Sequence, residues 1–190
     1  MVIAPWPRPV NAAAGADSPA ADAGAAAAPS PAGDATLPDR TAALPPTDRL
    51  LIPGVGIDTP VVEVGVNAAG EMDVVDNAAG RSRLGAEAGE TGNVLIGGHL
   101  DTRGAVFRLL PQVQEGDDVF LFRRDAVFHY RVEQRIVVRE EGVSLEQRRA
   151  NARWIQPTTD PVLTLITCYP YGLNTHRLLV RARLIPQRQD

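Results

Sequence analysis

"PVLTLITCYPYGLNTHRLLVRARLI" runs from Pro161 to Ile185 and holds Cys168, the only cysteine of the chain. Its first eight residues are nearly all apolar, as in a strand covered on both faces. Tyr169-Pro170 and Tyr171-Gly172 then force the chain to turn. Beyond the turn the pattern alternates. On an extended strand Arg177, Leu179, Arg181 and Arg183 share one face, and Leu178, Val180, Ala182 and Leu184 share the other. If the two strands pair antiparallel, the turn brings Cys168 close to Arg177.

The grammar upstream is the same. "RLLIPG" from Arg49, "TPVVEVGV" from Thr59 and "NVLIGGH" from Asn93 are short β-branched runs bounded by glycine and proline, which read as strands. "GETGN" enters the third as a turn. "GDDVFLFRRDAVFHYRVEQRIVVRE" reads as two strands joined at "RRD". "AVFRLL" after Gly104 suits one helical turn, and "SLEQRRA" suits a brief helix capped by Ser144. Many short strands with few helices predict an all-β barrel or sandwich. No internal repeat is present.

Residues 1–46 differ. "NAAAGADSPAADAGAAAAPSPAGDA" combines alanine with proline and small polar residues, and few large side chains are available to bury. A disordered tail or stalk is expected there, followed by one β-barrel domain over 47–190.

Composition excludes several functions. Hydrophobic residues make up 44% of the 190, enough for a core. The net charge of −4 argues against a nucleic-acid binder, which needs a basic surface to neutralise phosphates. A lone cysteine forms no internal disulfide and rules out multi-cysteine zinc patterns. His99, His129 and His176 are not spaced as a helical metal pair. No run of about 18 apolar residues is present to cross a membrane, and the N-terminus lacks a clear signal peptide. All 19 basic residues are arginine, which does not readily accept a proton, so a general base must be a histidine or a carboxylate.

A cysteine at a strand end is either a small buried hydrophobe or a reachable thiol, and the thiol becomes a nucleophile where the thiolate is stabilised. Arg177 is either one member of a solvated basic face or a donor to an oxyanion. His99, after Gly97 and Gly98, is either a loop histidine bonded to backbone or an acid and base at a strand end. His176 is its rival, although alternation points it away from Arg177. Asp101 either orients His99 or caps the "DTRG" turn.

Taken together, these segments resemble the sortases, the cysteine transpeptidases of bacterial cell surfaces. "TLITC" is similar to the family's TLxTC strand, "GNVLIGGH" to its glycine-histidine segment, and "RLLVRA" supplies the arginine, over about Leu50 to Ile185. The resemblance implies an eight-stranded β-barrel. It implies Cys168 as nucleophile, His99 as general acid and then base, Arg177 as donor to the oxyanion, and Thr167 lining the substrate site. The implied substrates are surface proteins with a C-terminal LPxTG-like sorting motif, cleaved through a Cys168 thioester and passed to an amine. That amine is a peptidoglycan precursor or a pilin lysine. No metal or organic cofactor is required, and a monomer is expected at the extracytoplasmic surface. "TCYPYGLNTHRLLVRA" looks like the pilus-assembling types, whereas "GGHLDTRGAVFRLL" looks like housekeeping types. The aspartate-proline-aromatic lid triplet of pilus enzymes is absent. A cysteine protease with water as acceptor, or an inactive barrel that binds surface peptides, are the alternatives.

Overall fold

The computed structural model describes residues 48–67 and 72–186; the expected tail over 1–46 lies outside them. Eight strands are present among the described residues: β1 (Arg49–Ile52), β2 (Ile57–Val64), β3 (Ala79–Ser82), β4 (Gly92–Gly97), β5 (Asp118–Arg123), β6 (Ala126–Arg139), β7 (Pro161–Tyr169) and β8 (His176–Leu184). They close into a barrel in the order β1-β2-β3-β4-β7-β8-β6-β5. The expected all-β barrel is therefore the observed one.

Alternation fills the interior. Leu50, Ile52, Val61, Val94, Ile96, Leu121, Leu163, Leu165, Leu178 and Val180 pack in one core cluster. The described barrel carries one α-helix, α1 (Leu145–Asn151), in the β6–β7 connection, and its cap is the expected one: Ser144 Oγ accepts the Gln147 N–H at 3.1 Å. The "AVFRLL" segment forms only turns, ending in a 3₁₀ turn at Leu110–Gln112.

β3 was not foreseen. Its sequence, Ala-Gly-Arg-Ser, has low β propensity. It forms because β2 pairs with it in parallel on one side and β4 antiparallel on the other. Arg81 on β3 is 1% exposed and ion-pairs with Glu63 and Glu87, as a buried charge must.

The reading of β7 as covered on both faces holds for a specific reason. Its inner face meets the core. Its outer face lies under the 3₁₀ turn Ala152–Ile155, where Ile166, with Leu179 of β8, is packed by Trp154 and Ile155 and by Ile136 and Val138 of β6. Asn93 of β4 fastens this cover: its amide donates to the Trp154 and Gln156 carbonyls at 3.1 and 3.2 Å, and its Oδ1 accepts the Thr164 hydroxyl at 2.7 Å.

Candidate active site

Cys168 and Arg177 are directly paired across the antiparallel β7–β8 ladder, so both side chains leave the sheet on the same face. Ile166 precedes Cys168 by two residues and Leu179 follows Arg177 by two, and they belong to the outer cluster. Cys168 and Arg177 therefore stand on the outer face of the barrel, at the edge of an apolar patch and at the end of β7 where the chain turns. Arg177 is not part of a solvated face. It is 3% exposed, and it donates to the His176 carbonyl at 3.3 Å.

Behind it lies a carboxylate. Glu140, also 3% exposed, follows β6; Asn151 of α1 donates to its Oε1 at 2.6 Å and to the Arg139 carbonyl at 2.7 Å. Burial pushes the Glu140 carboxyl up, opposed by the Asn151 hydrogen bond and by the charges of Arg177 and Arg148. Glu140 and Asn151 had no signal in the sequence, because a Glu-Glu pair after a strand reads as surface.

His99 follows β4, which runs parallel to β7 with Gly97 opposite Ile166. The Gly98 N–H donates to the Ile166 carbonyl at 3.1 Å. Glycine is required here: a Cβ on Gly98 would stand 2.7 Å from the buried Phe107 ring. Burial pushes the His99 imidazolium down and Arg103 does the same; Asp76, the Val74 carbonyl and Asp101 oppose them. Nε2 is buried without a hydrogen-bond partner. Nδ1 stands 3.5 Å from the Thr102 hydroxyl.

Cys168 is half-buried, and burial pushes its thiol up; Arg177 pulls it down and Asp101 raises it further. Thr167 points inward, opposite to Cys168. It is 2% exposed and its hydroxyl donates to the Gly98 carbonyl at 2.8 Å, tying β7 to the approach to His99. His176 pairs with Tyr169 rather than Cys168, and its Nδ1 lies 2.7 Å from the Thr175 hydroxyl. Asp101 neither bonds the imidazole nor caps its own turn; its Oδ2 accepts the Gly172 N–H at 2.6 Å. His129 is far along β6, bonded to Asp118 at 2.6 Å and stacked on Phe120.

A thiol and an arginine opposed on one ladder, with a histidine held against the same strand, form a candidate centre for acyl transfer. The family model described as a sortase domain matches residues 50–185. The chain belongs to the sortase family. Among solved structures it is similar to a lid mutant of sortase A from Corynebacterium diphtheriae, with 26% identity and a TM-score of 0.61 over 78% of this chain and 75% of that one. Sortase C1 from Streptococcus suis is 26% identical with a TM-score of 0.58, over 75% and 74% of the two chains. A sortase D5 transpeptidase from Clostridium perfringens shares the fold, at 23% identity and a TM-score of 0.58 over 74% and 79%. No curated protein matches the chain.

Proposed function

We propose that this sortase is a cysteine transpeptidase of the bacterial cell surface. It cleaves an LPxTG-like sorting motif after the threonine, holds the acyl group as a Cys168 thioester, and passes it to an amine. The observation that carries this reading is the register of β7 and β8, which sets Cys168 opposite a buried Arg177 at the edge of the outer apolar patch.

The proton inventory shapes the chemistry. Cys168 is pushed up and His99 down, so both groups are neutral in most molecules at neutral pH. The reactive form carries the thiol proton on the imidazole. The thiolate attacks the threonine carbonyl carbon, a C–S bond forms, and the carbonyl electron pair moves to oxygen. Arg177 donates hydrogen bonds to that oxyanion. Collapse breaks the C–N bond, and the His99 imidazolium gives its proton to the leaving amine. The incoming amine attacks the thioester, His99 takes its proton, and collapse releases the Cys168 thiolate. Ile136, Val138, Trp154 and Ile155, which stay partly exposed around the buried Ile166 and Leu179, offer apolar contact to the leucine and proline of the motif. Thr167 contributes from below, through its bond to Gly98. The chemistry draws on no metal or organic cofactor. The acceptor is a peptidoglycan precursor or a pilin lysine.

The test is mass spectrometry of the enzyme incubated with a set of LPxTG-like peptides, with and without triglycine as amine. An acyl adduct on Cys168 that triglycine converts to a longer peptide is expected. A product formed only with water would replace the transpeptidase by a protease. No adduct with any peptide, or cleavage retained in Cys168→Ala, overturns the reading.

A further inference from the structure

We propose that Asp101 is a positioning residue for the His99–Cys168 pair, its carboxylate clamping the β7–β8 turn onto the segment that carries His99. The inference rests on the reading of these two residues as the reacting pair.

His99 has little to hold its own ring. Its Nδ1 is 3.5 Å from the Thr102 hydroxyl, at the limit of a hydrogen bond, and its Nε2 has no hydrogen-bond partner. Among the described residues no carboxylate is hydrogen-bonded to the imidazole. Its placement is therefore set by the backbone on either side, and both sides are tied to the Cys168 element. One residue before His99, the Gly98 N–H reaches the Ile166 carbonyl and the Gly98 carbonyl accepts from Thr167. Two residues after it, Asp101 accepts the Gly172 N–H, four residues past Cys168. Gly172 adopts φ +72, a left-handed conformation that glycine adopts without strain. A second tie runs parallel, since the Tyr171 hydroxyl donates to the Arg108 carbonyl. His99 thus sits between two cross-links onto one strand and the turn that ends it. Without the Asp101 bond, this side keeps only the Tyr171 tie to the turn and the bond of the His99 carbonyl to the Phe107 N–H, so its hold on the Cys168 element is weakened.

The clamp also brings a charge to the site. The groups facing Cys168 are Arg177 from β8 and Asp101; those facing His99 are Arg103, Asp76 and Asp101. The Asp101 carboxylate raises both the thiol and the imidazolium, so position and charge must be separated by experiment.

Asp101→Asn keeps an acceptor oxygen for Gly172 and removes the charge, whereas Asp101→Ala removes both. Asp101 is only partly buried, so both variants are expected to fold, as matched melting curves will show. On a fluorogenic LPxTG-like peptide, Asp101→Ala is expected to lose about tenfold or more in kcat with little change in KM, since small displacements of a reacting group cost up to ~10²-fold. Asp101→Asn is expected to recover most of that loss. Both variants move Cys168 alkylation by iodoacetamide to lower pH, because the same carboxylate charge is gone. Hydrogen exchange supplies a readout without substrate: Asp101→Ala speeds exchange in residues 170–175 and around His99, and Asp101→Asn does not. If the wild type cleaves no peptide while exchange and alkylation behave as stated, the sorting reaction falls and the clamp stands. Equal kcat in the two variants, whether low or native, overturns the clamp, as does unchanged exchange in Asp101→Ala.

Discussion

Replacing Arg177 by lysine asks whether geometry or charge matters opposite Cys168. Arg177 is 3% exposed and shares its face of β8 with Arg181, which is half-buried, and Arg183, which is exposed and paired with Glu133 and Asp160. A guanidinium presents several donors in a fixed plane and stays charged when desolvated. An ammonium is a compact, strongly hydrated charge, and burial lowers its pKa. Lysine at 177 therefore retains at most one donor toward the oxyanion, at a site where water cannot replace the other. Loss of one oxyanion donor costs ~10²–10³ in turnover, about 2.7–4 kcal/mol of transition-state stabilisation. Arg177→Lys is expected to lose at least about 10²-fold in kcat/KM on that scale. Arg183→Lys keeps the charge that faces Glu133 and Asp160 in exposed pairs and leaves turnover unchanged, and Arg181→Lys is likewise silent. The assay is initial-rate cleavage of one LPxTG-like peptide by the three variants, with melting curves alongside. Near-native activity in all three would refute the reasoning and leave the oxyanion without Arg177 as its donor.

Three further outcomes are expected. His99→Ala abolishes acyl transfer and His176→Ala is tolerated; the reverse ranking in the peptide assay would mean that the wrong imidazole was chosen. Alkylation of Cys168 in the free enzyme rises with a midpoint above that of an ordinary thiol, about 8.5, because burial disfavours the thiolate; a midpoint below that value would mean that Arg177 outweighs burial. A chain beginning at Thr47 folds and cleaves peptide like the full-length protein, checked by melting and turnover; loss of either would assign residues 1–46 a part in the barrel or its site.

Most strands were legible because their signals are local. A period of two, β-branched residues and bounding turns mark β2, β4 and β7 within a few residues. β3 was not, because Ala-Gly-Arg-Ser carries no such signal and becomes a strand through its neighbours. The "AVFRLL" segment shows the same limit. Its spacing suits one helical turn, and it forms turns that end in a 3₁₀ turn, but that Phe107 is buried against Gly98 is decided by the fold.

The candidate site divides along the same line. The turn signals after Cys168 and the alternation from Arg177 onward placed the two residues close on the condition that the strands pair antiparallel; the register that sets them directly opposite belongs to the folded ladder. His99 entered through its glycines and through the family resemblance. What the local pattern misjudged was environment. Arg177 belongs by alternation to a basic face, yet it is buried where Arg181 and Arg183 are not, with the buried Glu140 and Asn151 behind it. Thr167, one residue from the nucleophile, turns inward and reaches the His99 approach. Asp101, next but one to His99, bonds a glycine 71 residues away. Each of these contacts joins segments far apart in the chain. Periodicity determines which way a side chain leaves its own strand, but closure of the barrel decides what it meets there. Burial and partners, which set the charge state of a group, come only from that closure.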